Sequence, residues 1–347
     1  MDRHNNFDFL RLLFASTVIF SHSFPLTNNP EIISVITNNQ IGLGGLSVEI
    51  FFIISGYLIL NSLKYSKTPL NYFWKRCLRL YPALIVMLLF TLVVVYFIYQ
   101  GNNIFLERDF KSYLPNNLKL YKVQYNIKGV FENNLYPNAI NGSLWSLCYE
   151  FSMYIFILLL FPFKNNKKVL FSILIVFYLF TTYANYFNQS LFIDAFHKIR
   201  LESNLIYKLA AYFIAGSLLS LVDLKKYNTL PIKLSLFGLL LISIFFNFYA
   251  AICIVVMPIF ILLVGLSFSK TLNYIPSKIG DISYGVYIYG FLVQQTLMNY
   301  YNFNPYILCI LSLIITYILS YLSWHFVEKK CIKYKNLFSK RSLSINN

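Results

Sequence analysis

The sequence predicts an all-α protein, a polytopic transmembrane helical bundle of about ten helices with both termini in the cytoplasm. Three observations favour this fold class: an apolar composition, long runs with little charge, and an uneven distribution of basic residues. Of the 347 residues, 58% are hydrophobic and 12% are charged, with a mean hydropathy of +0.59. A soluble domain of this size has no use for so much apolar surface, so the sequence indicates a membrane protein.

The predicted helices follow the apolar runs, because a helix needs about 20 apolar residues to cross the hydrocarbon core. Ten runs fit this length, and the expected number of helices is nine to eleven. The seventh and eighth runs are adjacent at Asn247 and could form one broken unit. They are residues 7–24, 45–63, 80–100, 143–162, 168–186, 207–222, 232–247, 248–268, 283–301 and 305–326. The first run is expected to be retained, because no small-residue cleavage site of a signal peptide follows it.

Basic residues determine the expected orientation. The net charge is +16, and most Lys and Arg residues fall in alternate connections, such as 64–79 and 329–341. Excess positive charge in short connections marks the cytoplasmic side. The charge is therefore explained by topology, which predicts membrane lipids and no nucleic acid as partners.

The chain divides into a transmembrane domain, residues 1–330, and a basic cytoplasmic tail, residues 331–347. A polar stretch at about 101–142 is expected to be an external loop with some helix packed across the membrane surface. This loop is too short for an independent enzyme domain, so any chemistry must belong to the helices. Five cysteines occur singly, which suggests neither a zinc site nor a disulfide framework.

The first helix carries three polar groups, Asp8, Arg11 and His22. At 100° and 1.5 Å per residue, Arg11 and His22 lie about 20° apart on one face and about 16 Å apart along the axis. Asp8 is close enough to Arg11 on the helix surface to form an ion pair. Charged groups in a membrane helix usually face a bundle interior or a wet cavity, which favours a functional path. The alternative for Arg11 is that its side chain extends to the membrane interface.

Acidic residues occur in two other runs. Glu150 lies about 10 Å from the start of the fourth run, where Ser143 is the expected N-cap. A carboxylate at that depth needs a function or a partner, so Glu150 is either a catalytic acid or a polar tie between helices. Glu49, nearer the edge of the second run, is more typical of a structural tie.

An arginine pair precedes the third run. Arg76 and Arg79 are three residues apart, so on a helix they project from neighbouring positions. Their forked donors match phosphate oxygens, which indicates an anion clamp at the cytoplasmic mouth. The alternative is that both arginines only mark the cytoplasmic side, as suffices for the nearby lysines.

These features occur together in a recognisable order. The segments that carry the resemblance are Arg11 with His22, FFIISGYLI, RCLRLYP, SLWSLCYEFSMY, YFIAGSLL and IGDISYGVYIYGFLV. As an ordered set covering nearly the whole chain, they resemble the acyltransferase-3 family of integral membrane acyltransferases. Residues 1–330 are accordingly interpreted as an acyltransferase-3-like domain.

The resemblance implies transfer of an acetyl or other short acyl group from cytoplasmic acyl-CoA to a hydroxyl of a cell-surface or lipid-linked saccharide. It implies that His22 is the general base, that Arg11 is its motif partner and that Glu150 is the catalytic acid. Arg76 and Arg79, assisted by Arg11, are the expected CoA ligands, and no metal is required. The compact form and the Lys, Asn and Ile bias predict a bacterial inner membrane.

The sequence departs from the family pattern in two places. Gly290 stands where relatives often have His, and Glu328-Lys329-Lys330 replaces the usual Glu-Arg-Pro or Glu-Lys-Pro. No role is therefore assigned to a histidine in the ninth helix.

Two alternatives stay open at the sequence level. A proton-coupled transporter or flippase of a saccharide or lipid would also need Arg11, His22 and Glu150 as a polar path. The absence of evident internal repeats argues against it. Within the enzyme hypothesis, direct transfer and an acyl-histidine intermediate are both possible, and the sequence defines no oligomeric state.

Overall fold

The computed structural model describes residues 5–339, and this part of the chain is all helical, with no β-strand. Each of the ten predicted runs is a helix. The helices are α1 (Phe7–Leu26), α2 (Leu43–Lys64), α3 (Pro69–Ile98), α4 (Trp145–Leu159), α5 (Lys167–Phe187), α6 (Ser203–Leu219), α7 (Leu230–Phe245), α8 (Tyr249–Leu266), α9 (Ser283–Tyr300) and α10 (Pro305–Ser323). The seventh and eighth runs are therefore separate helices.

Helix α3 begins at Pro69, well before the predicted start at residue 80. The side chain of Thr68 accepts a hydrogen bond of 3.0 Å from the backbone N–H of Asn71, and Pro69 occupies the first helical position. The hydropathy of this first part is low because it contains basic residues. Arg76 and Arg79 consequently lie within a helix, on neighbouring surface positions.

The start of α4 also differs from the prediction. A 3₁₀ turn, Gly142–Leu144, precedes the helix, and the side chain of Asn141 accepts a hydrogen bond of 3.1 Å from the backbone N–H of Ser143. Asn141 therefore caps this end of the helix, and the prediction of Ser143 as N-cap was wrong.

Shorter helices occupy several connections: Ile32–Ile36, Arg108–Leu118, Ile193–Lys198 and Lys270–Ile279. The helix Arg108–Leu118 lies in the long polar stretch 101–142. After α10 the chain continues through a π turn, Trp324–Glu328, a turn of α-helix, Lys329–Ile332, and a 3₁₀ segment, Lys333–Ser339.

Several of these helices have the length and composition of a membrane span. They are Phe7–Leu26, Leu43–Lys64, Pro69–Ile98, Gly142–Leu159, Lys167–Phe187, Tyr249–Leu266 and Pro305–Ser339. Helices α6 and α7 are apolar but shorter, with 17 and 16 residues. The class of multi-pass helical membrane protein is thereby confirmed, whereas a crossing by all ten helices stays a prediction.

The residues that line the two large cavities distinguish two ends of the bundle. The basic end contains the start of α1, the connection 65–68 and the chain after α10. The loop end contains the end of α1, the stretch 99–142 and the connection 188–202. The excess of Lys and Arg at the basic end predicts that this end faces the cytoplasm.

Helices α2 and α6 pack backbone to backbone. A Cβ atom added to Gly56 would lie 1.9 Å from the carbonyl oxygen of Phe213, and one added to Gly216 would lie 2.1 Å from that of Ile53. The hydroxyl of Ser217 donates to the carbonyl of Gly56 at 3.1 Å. Small residues permit this close approach, which is typical of helices packed within membranes.

Helix α9 lies in the interior and packs against α1, α3 and α10. Its Gln294 is fully buried and donates to the carbonyl of Ile19 and to the hydroxyl of Ser23, both at 2.8 Å. A Cβ atom on Gly290 would lie 2.6 Å from the Ile19 side chain, so glycine allows α1 and α9 to approach closely. A histidine at position 290 would not fit this packing.

The stretch 99–142 is anchored on α9. Asn134 donates to the side-chain oxygen of Gln295 at 2.8 Å, and Asn141 donates to the carbonyl of Ile288 at 2.7 Å. Gln295 in turn donates to the carbonyl of Ala139 at 2.7 Å. These bonds hold the stretch over the loop end of the bundle.

The segment after α10 packs against the start of α3 at the basic end. Asn71 donates to the carbonyl of Lys335 at 3.2 Å, and the Trp74 indole donates to the carbonyl of Tyr334 at 3.0 Å. The rings of Trp74 and Phe338 meet edge to face at 5.4 Å. Residues 331–339, assigned to a basic tail by the sequence, thus contact the bundle.

Candidate active site

A cavity of about 630 Å³ opens into the bundle from the basic end and is called the basic-end cavity. It lies among α1, α2, α3, α4, α9 and the segment after α10. Its charged lining residues are Arg11, Lys75, Arg76, Arg79, Lys335, Asp8, Glu150 and Asp281. The structure therefore brings four of the five predicted site residues to one cavity, with basic side chains in the majority.

Arg79 is committed to an ion pair. Its Nη2 lies 2.9 Å from Oδ2 of Asp281, in the turn that precedes α9. The hydroxyl of Ser283 donates to the other carboxylate oxygen at 2.9 Å. Burial alone would raise the pKa of Asp281, but the guanidinium groups of Arg79 and Arg11 lower it to about 2. Asp281 is therefore ionised at neutral pH and ties α3 to the start of α9.

Arg76 has no carboxylate partner among the described residues. Its Nη2 donates to the hydroxyl of Ser62 at 3.2 Å, and its guanidinium lies 5.9 Å from the ring centroids of both Tyr72 and Tyr154. Its buried Nε has no hydrogen-bond partner within residues 5–339. Arg76 thus has N–H groups that can bind an anion. Arg79, in contrast, is paired with Asp281, so the two arginines have different environments.

Arg11 lies in the same cavity, within the electrostatic reach of Arg79, Asp281 and Asp8. The sequence predicted Asp8 alone as its acidic neighbour. In the structure, Arg11 belongs to a cluster in which Asp281 also contributes negative charge, so its guanidinium faces the bundle interior rather than the membrane interface.

Glu150 faces the basic-end cavity. One carboxylate oxygen accepts hydrogen bonds from the hydroxyl of Ser55 at 3.1 Å and from that of Tyr154 at 2.6 Å. Within residues 5–339, no hydrogen bond joins Glu150 to His22. Its hydrogen bonds instead tie Glu150 to α2 and to its own helix.

His22 is separate from the other predicted site residues and lines neither this cavity nor the cavity at the loop end that is described below. Its ring meets Phe291 edge to face, with centroids 5.2 Å apart. Its Nδ1 is buried and has no hydrogen-bond partner in the described part of the chain. The close packing of Gly290 on Ile19 brings α9, and with it Phe291, against this part of α1.

A second cavity, of about 950 Å³, lies at the loop end and is called the loop-end cavity. Aromatic and polar residues line it: Tyr121, Tyr125, Tyr136, Trp145, Tyr149 and Phe291, with Asn126, Asn138, Arg200 and Glu202. Phe291 connects this cavity to His22.

Helix α4 separates the two cavities over its first two turns. Trp145, Cys148 and Tyr149 face the loop-end cavity, whereas Ser146 and Glu150 face the basic-end cavity.

On α9, Tyr287 lines the basic-end cavity and Phe291 the loop-end cavity, one helical turn or about 6 Å further on. The hydroxyls of Ser146 and Tyr287 are hydrogen-bonded at 2.6 Å. The term partition is used here for four residues between the cavities. Ser146 and Tyr287 line the basic-end cavity, Phe291 lines the loop-end cavity, and His22 contacts Phe291.

Glu49 lines neither cavity. Its Oε1 lies 2.5 Å from Nζ of Lys208, so it joins α2 to α6. This ion pair supports the interpretation of Glu49 as a structural tie.

Sequence reasoning missed Asp281, Trp145 and Phe291. Asp281 carried a usable signal, because a lone acid between two apolar runs in IGDISYG needs a cationic partner. Trp145 and Phe291 lie in SLWSLCYEFSMY and IGDISYGVYIYGFLV, but aromatic residues are so common throughout this chain that neither was singled out.

The helical bundle and its charged cavity define a multi-pass membrane protein with polar groups collected in its interior. Residues 4–325 match a family described as an acyltransferase domain. The chain belongs to this family, the acyltransferase-3 family, which confirms the resemblance seen in the sequence. It is a membrane acyltransferase.

Two curated relatives span nearly the whole chain. The O-acetyl transferase of Shigella phage Sf6 is 29% identical over 345 residues, covering 95% of this chain and 96% of that protein. Nodulation protein 10 of Rhizobium leguminosarum bv. viciae is 23% identical over 377 residues, covering 98% of this chain and 96% of that protein. No solved structure matches the chain.

Proposed function

We propose that this protein transfers an acetyl or other short acyl group from cytoplasmic acyl-CoA to a hydroxyl of a cell-surface or lipid-linked saccharide. One observation carries the proposal: two cavities, one at each end of the bundle, are separated by Ser146, Tyr287 and Phe291, and His22 contacts Phe291. Two substrates that are kept on opposite sides of a membrane need this arrangement. The name of the phage relative, an O-acetyl transferase, supports transfer to oxygen.

The basic-end cavity is the proposed donor site. The phosphates of acyl-CoA bind Arg76, which has free donors, and Lys335 and Lys75 at the same cavity add positive charge. The pantetheine arm then extends along α4 past Glu150, and the thioester stops at the hydroxyls of Ser146 and Tyr287. Arg79, held by Asp281, shapes this wall and contributes less directly to binding.

His22 is the proposed general base. As the acceptor oxygen attacks the thioester carbonyl carbon, its proton passes to a free imidazole nitrogen. The carbon–sulfur bond then breaks, and the CoA thiolate takes the proton back from the imidazolium. An alternative sequence starts with attack by the imidazole nitrogen and passes through an acyl-histidine. Glu150 acts on the donor side, where it offsets the positive charge of Arg11 and Arg76.

The basic end is proposed to face the cytoplasm of a bacterial cell, with the protein in the inner membrane. The basic residues at this end support that orientation, because positive connecting segments are retained inside. The loop end, with the stretch 99–142, then faces the acceptor side.

The direct test uses the purified protein in liposomes with radiolabelled acetyl-CoA and surface polysaccharide from cells that lack the protein. Label in the carbohydrate fraction is expected, and it should disappear in a His22→Ala variant. A transporter or flippase would leave the carbohydrate unlabelled, and movement of the glycan without acetyl-CoA would favour that function instead.

A further inference from the structure

The loop-end cavity is built from chain segments that the donor site does not use. Its walls are residues 120–139, the start of α4, residues 200–205 and Phe291. Tyr125 and Tyr136 are 40% and 44% exposed, whereas Tyr149 and Phe291 are buried. Aromatic faces are therefore available inside the cavity on a fixed base.

Aromatic faces next to polar side chains match the surface of a sugar. The C–H bonds of a pyranose face are slightly positive and pack well on the negative face of an aromatic ring. Amide, guanidinium and carboxylate groups bind the hydroxyls at the edge, and here Asn126, Asn138, Arg200 and Glu202 provide them. A small number of placed polar groups in an aromatic cavity is typical of a small-molecule site.

The backbone around the cavity is held in an unfavourable conformation. Leu120, Asn138 and Arg200 have φ values of 61°, 65° and 60°, in the left-handed region that costs free energy for residues with side chains. The hydroxyl of Tyr149 accepts a hydrogen bond of 3.0 Å from the backbone N–H of Glu202, which fixes the chain beside Arg200. This hydrogen bond ties the segment that carries Glu202 to the start of α4.

The cavity reaches the partition. A Cβ atom on Gly142 would lie 2.7 Å from the Phe291 ring, so glycine lets Phe291 pack at the base of the cavity. The Phe291 ring also contacts His22, with ring centroids 5.2 Å apart. A hydroxyl that enters beside Phe291 is therefore separated from the imidazole by this ring.

We propose that the loop-end cavity binds the acceptor saccharide, with Trp145 as the stacking platform and Arg200 and Glu202 as the groups that recognise sugar hydroxyls. This inference rests on the proposed function, because it takes the acceptor to be a saccharide that arrives from the loop end. It assigns recognition of the sugar hydroxyls to Arg200 and Glu202, which lie outside the segments that resemble the family, and stacking to Trp145, which lies within SLWSLCYEFSMY.

Tryptophan fluorescence tests this site directly. The chain has three tryptophans, Trp74, Trp145 and Trp324, and Trp145 alone lies in the loop-end cavity. In the double variant Trp74→Phe and Trp324→Phe, emission reports on Trp145. The probe is a set of oligosaccharides released by mild acid from surface polysaccharide of cells that lack the protein. We expect a saturable change in emission, with affinity reduced about tenfold by Arg200→Gln or Glu202→Gln.

Matched variants separate this inference from the proposed function. Lys198→Gln, an exposed residue near the cavity but outside its lining, should leave saccharide affinity unchanged. His22→Ala, added to the reporter protein, should retain the fluorescence change although transfer is lost. Saturable saccharide binding by the reporter protein, together with no acyl transfer by the unchanged enzyme, would support the binding site and overturn the proposed function.

A kinetic measurement covers the case in which the reporter protein does not fold. Trp145→Ala in the otherwise unchanged enzyme should raise the KM for saccharide at least tenfold and leave the KM for acetyl-CoA within about twofold. The inference would be overturned if the Trp145→Ala enzyme were active with an unchanged KM for saccharide. It would also be overturned if the emission of a folded reporter protein did not change at any saccharide concentration.

Discussion

The two cavities differ in what builds them. Side chains of long helices make most of the basic-end cavity, and its charges are organised by an ion pair and short hydrogen bonds. Loops and aromatic rings make much of the loop-end cavity, and strained backbone supports it. The difference indicates that helix packing fixes the proposed donor end, whereas the proposed acceptor end depends on loop segments.

The largest expected effect is at the partition, where the two regions meet. His22→Ala should lower acyl transfer by at least about 100-fold, since a positioned general base contributes roughly 10²–10⁴ to the rate. Protein yield and acetyl-CoA affinity should change little. His197→Gln, in the short helix Ile193–Lys198, is the control and should retain full activity. Substantial turnover by His22→Ala would remove the imidazole from the chemistry.

A second variant tests whether helix packing maintains the donor end. Gly56→Ala would place a methyl group against the backbone of α6, and it should lower the melting temperature in detergent by several degrees together with acetyl-CoA affinity. Gly238→Ala, which meets no atom within 4 Å, is the control and should be neutral or slightly stabilising. Equal stability of the two variants would contradict the close α2–α6 contact.

The arginine pair separates binding from positioning. The double change of Arg76 and Arg79 to Gln should weaken acetyl-CoA binding by about 10- to 100-fold in calorimetry, because charged hydrogen bonds to phosphate are lost. Arg76→Gln alone should cost more affinity than Arg79→Gln, because Asp281 already occupies Arg79. Lys225→Gln with Lys226→Gln, outside the cavity, controls for charge, and an unchanged affinity in the arginine variant would exclude the donor-site assignment.

Phe291→Ala should weaken the separation of the two cavities. Without the ring, water from the loop-end cavity reaches the thioester, so hydrolysis of acetyl-CoA without saccharide should rise several-fold while transfer falls. Release of free CoA measures the change. Phe245→Ala, which is 78% exposed on α7, should leave hydrolysis at its basal rate. A hydrolysis rate equally low in Phe291→Ala would show that this ring does not exclude water.

The smallest effect concerns Asp281. Because its folded-state pKa is lowered, the ion pair stabilises the protein above the unfolded-state pKa and is lost only as the pH falls toward about 2. Asp281→Asn should therefore lower the melting temperature by a similar amount at pH 5, 6, 7 and 8, and change acetyl-CoA affinity only a few-fold. Asp223→Asn, between α6 and α7, is the control. A difference that disappears between pH 7 and pH 5 would mean that Asp281 titrates there.

The helices were predictable because hydropathy and length alone define them, and Arg11, Arg76 and Glu150 were predictable because lipid excludes charge. Arg11 and Arg76 meet because both lie at the basic end, whereas the position of Glu150 in the same cavity depends on tertiary packing. The partner of Arg79 was not predicted, because Asp281 lies about 200 residues away and only tertiary packing joins them. The separation of Glu150 from His22 likewise depends on tertiary packing, which no local pattern encodes.

The partition has an electrical consequence. If water fills both cavities, the membrane potential falls largely between them rather than evenly over the full bilayer. A charge that crosses the whole potential gains roughly 2.3 kcal/mol per 100 mV. If His22 relays a proton as proposed, part of that field acts on the transferred proton, and acylation by the protein in liposomes would then change with an imposed voltage.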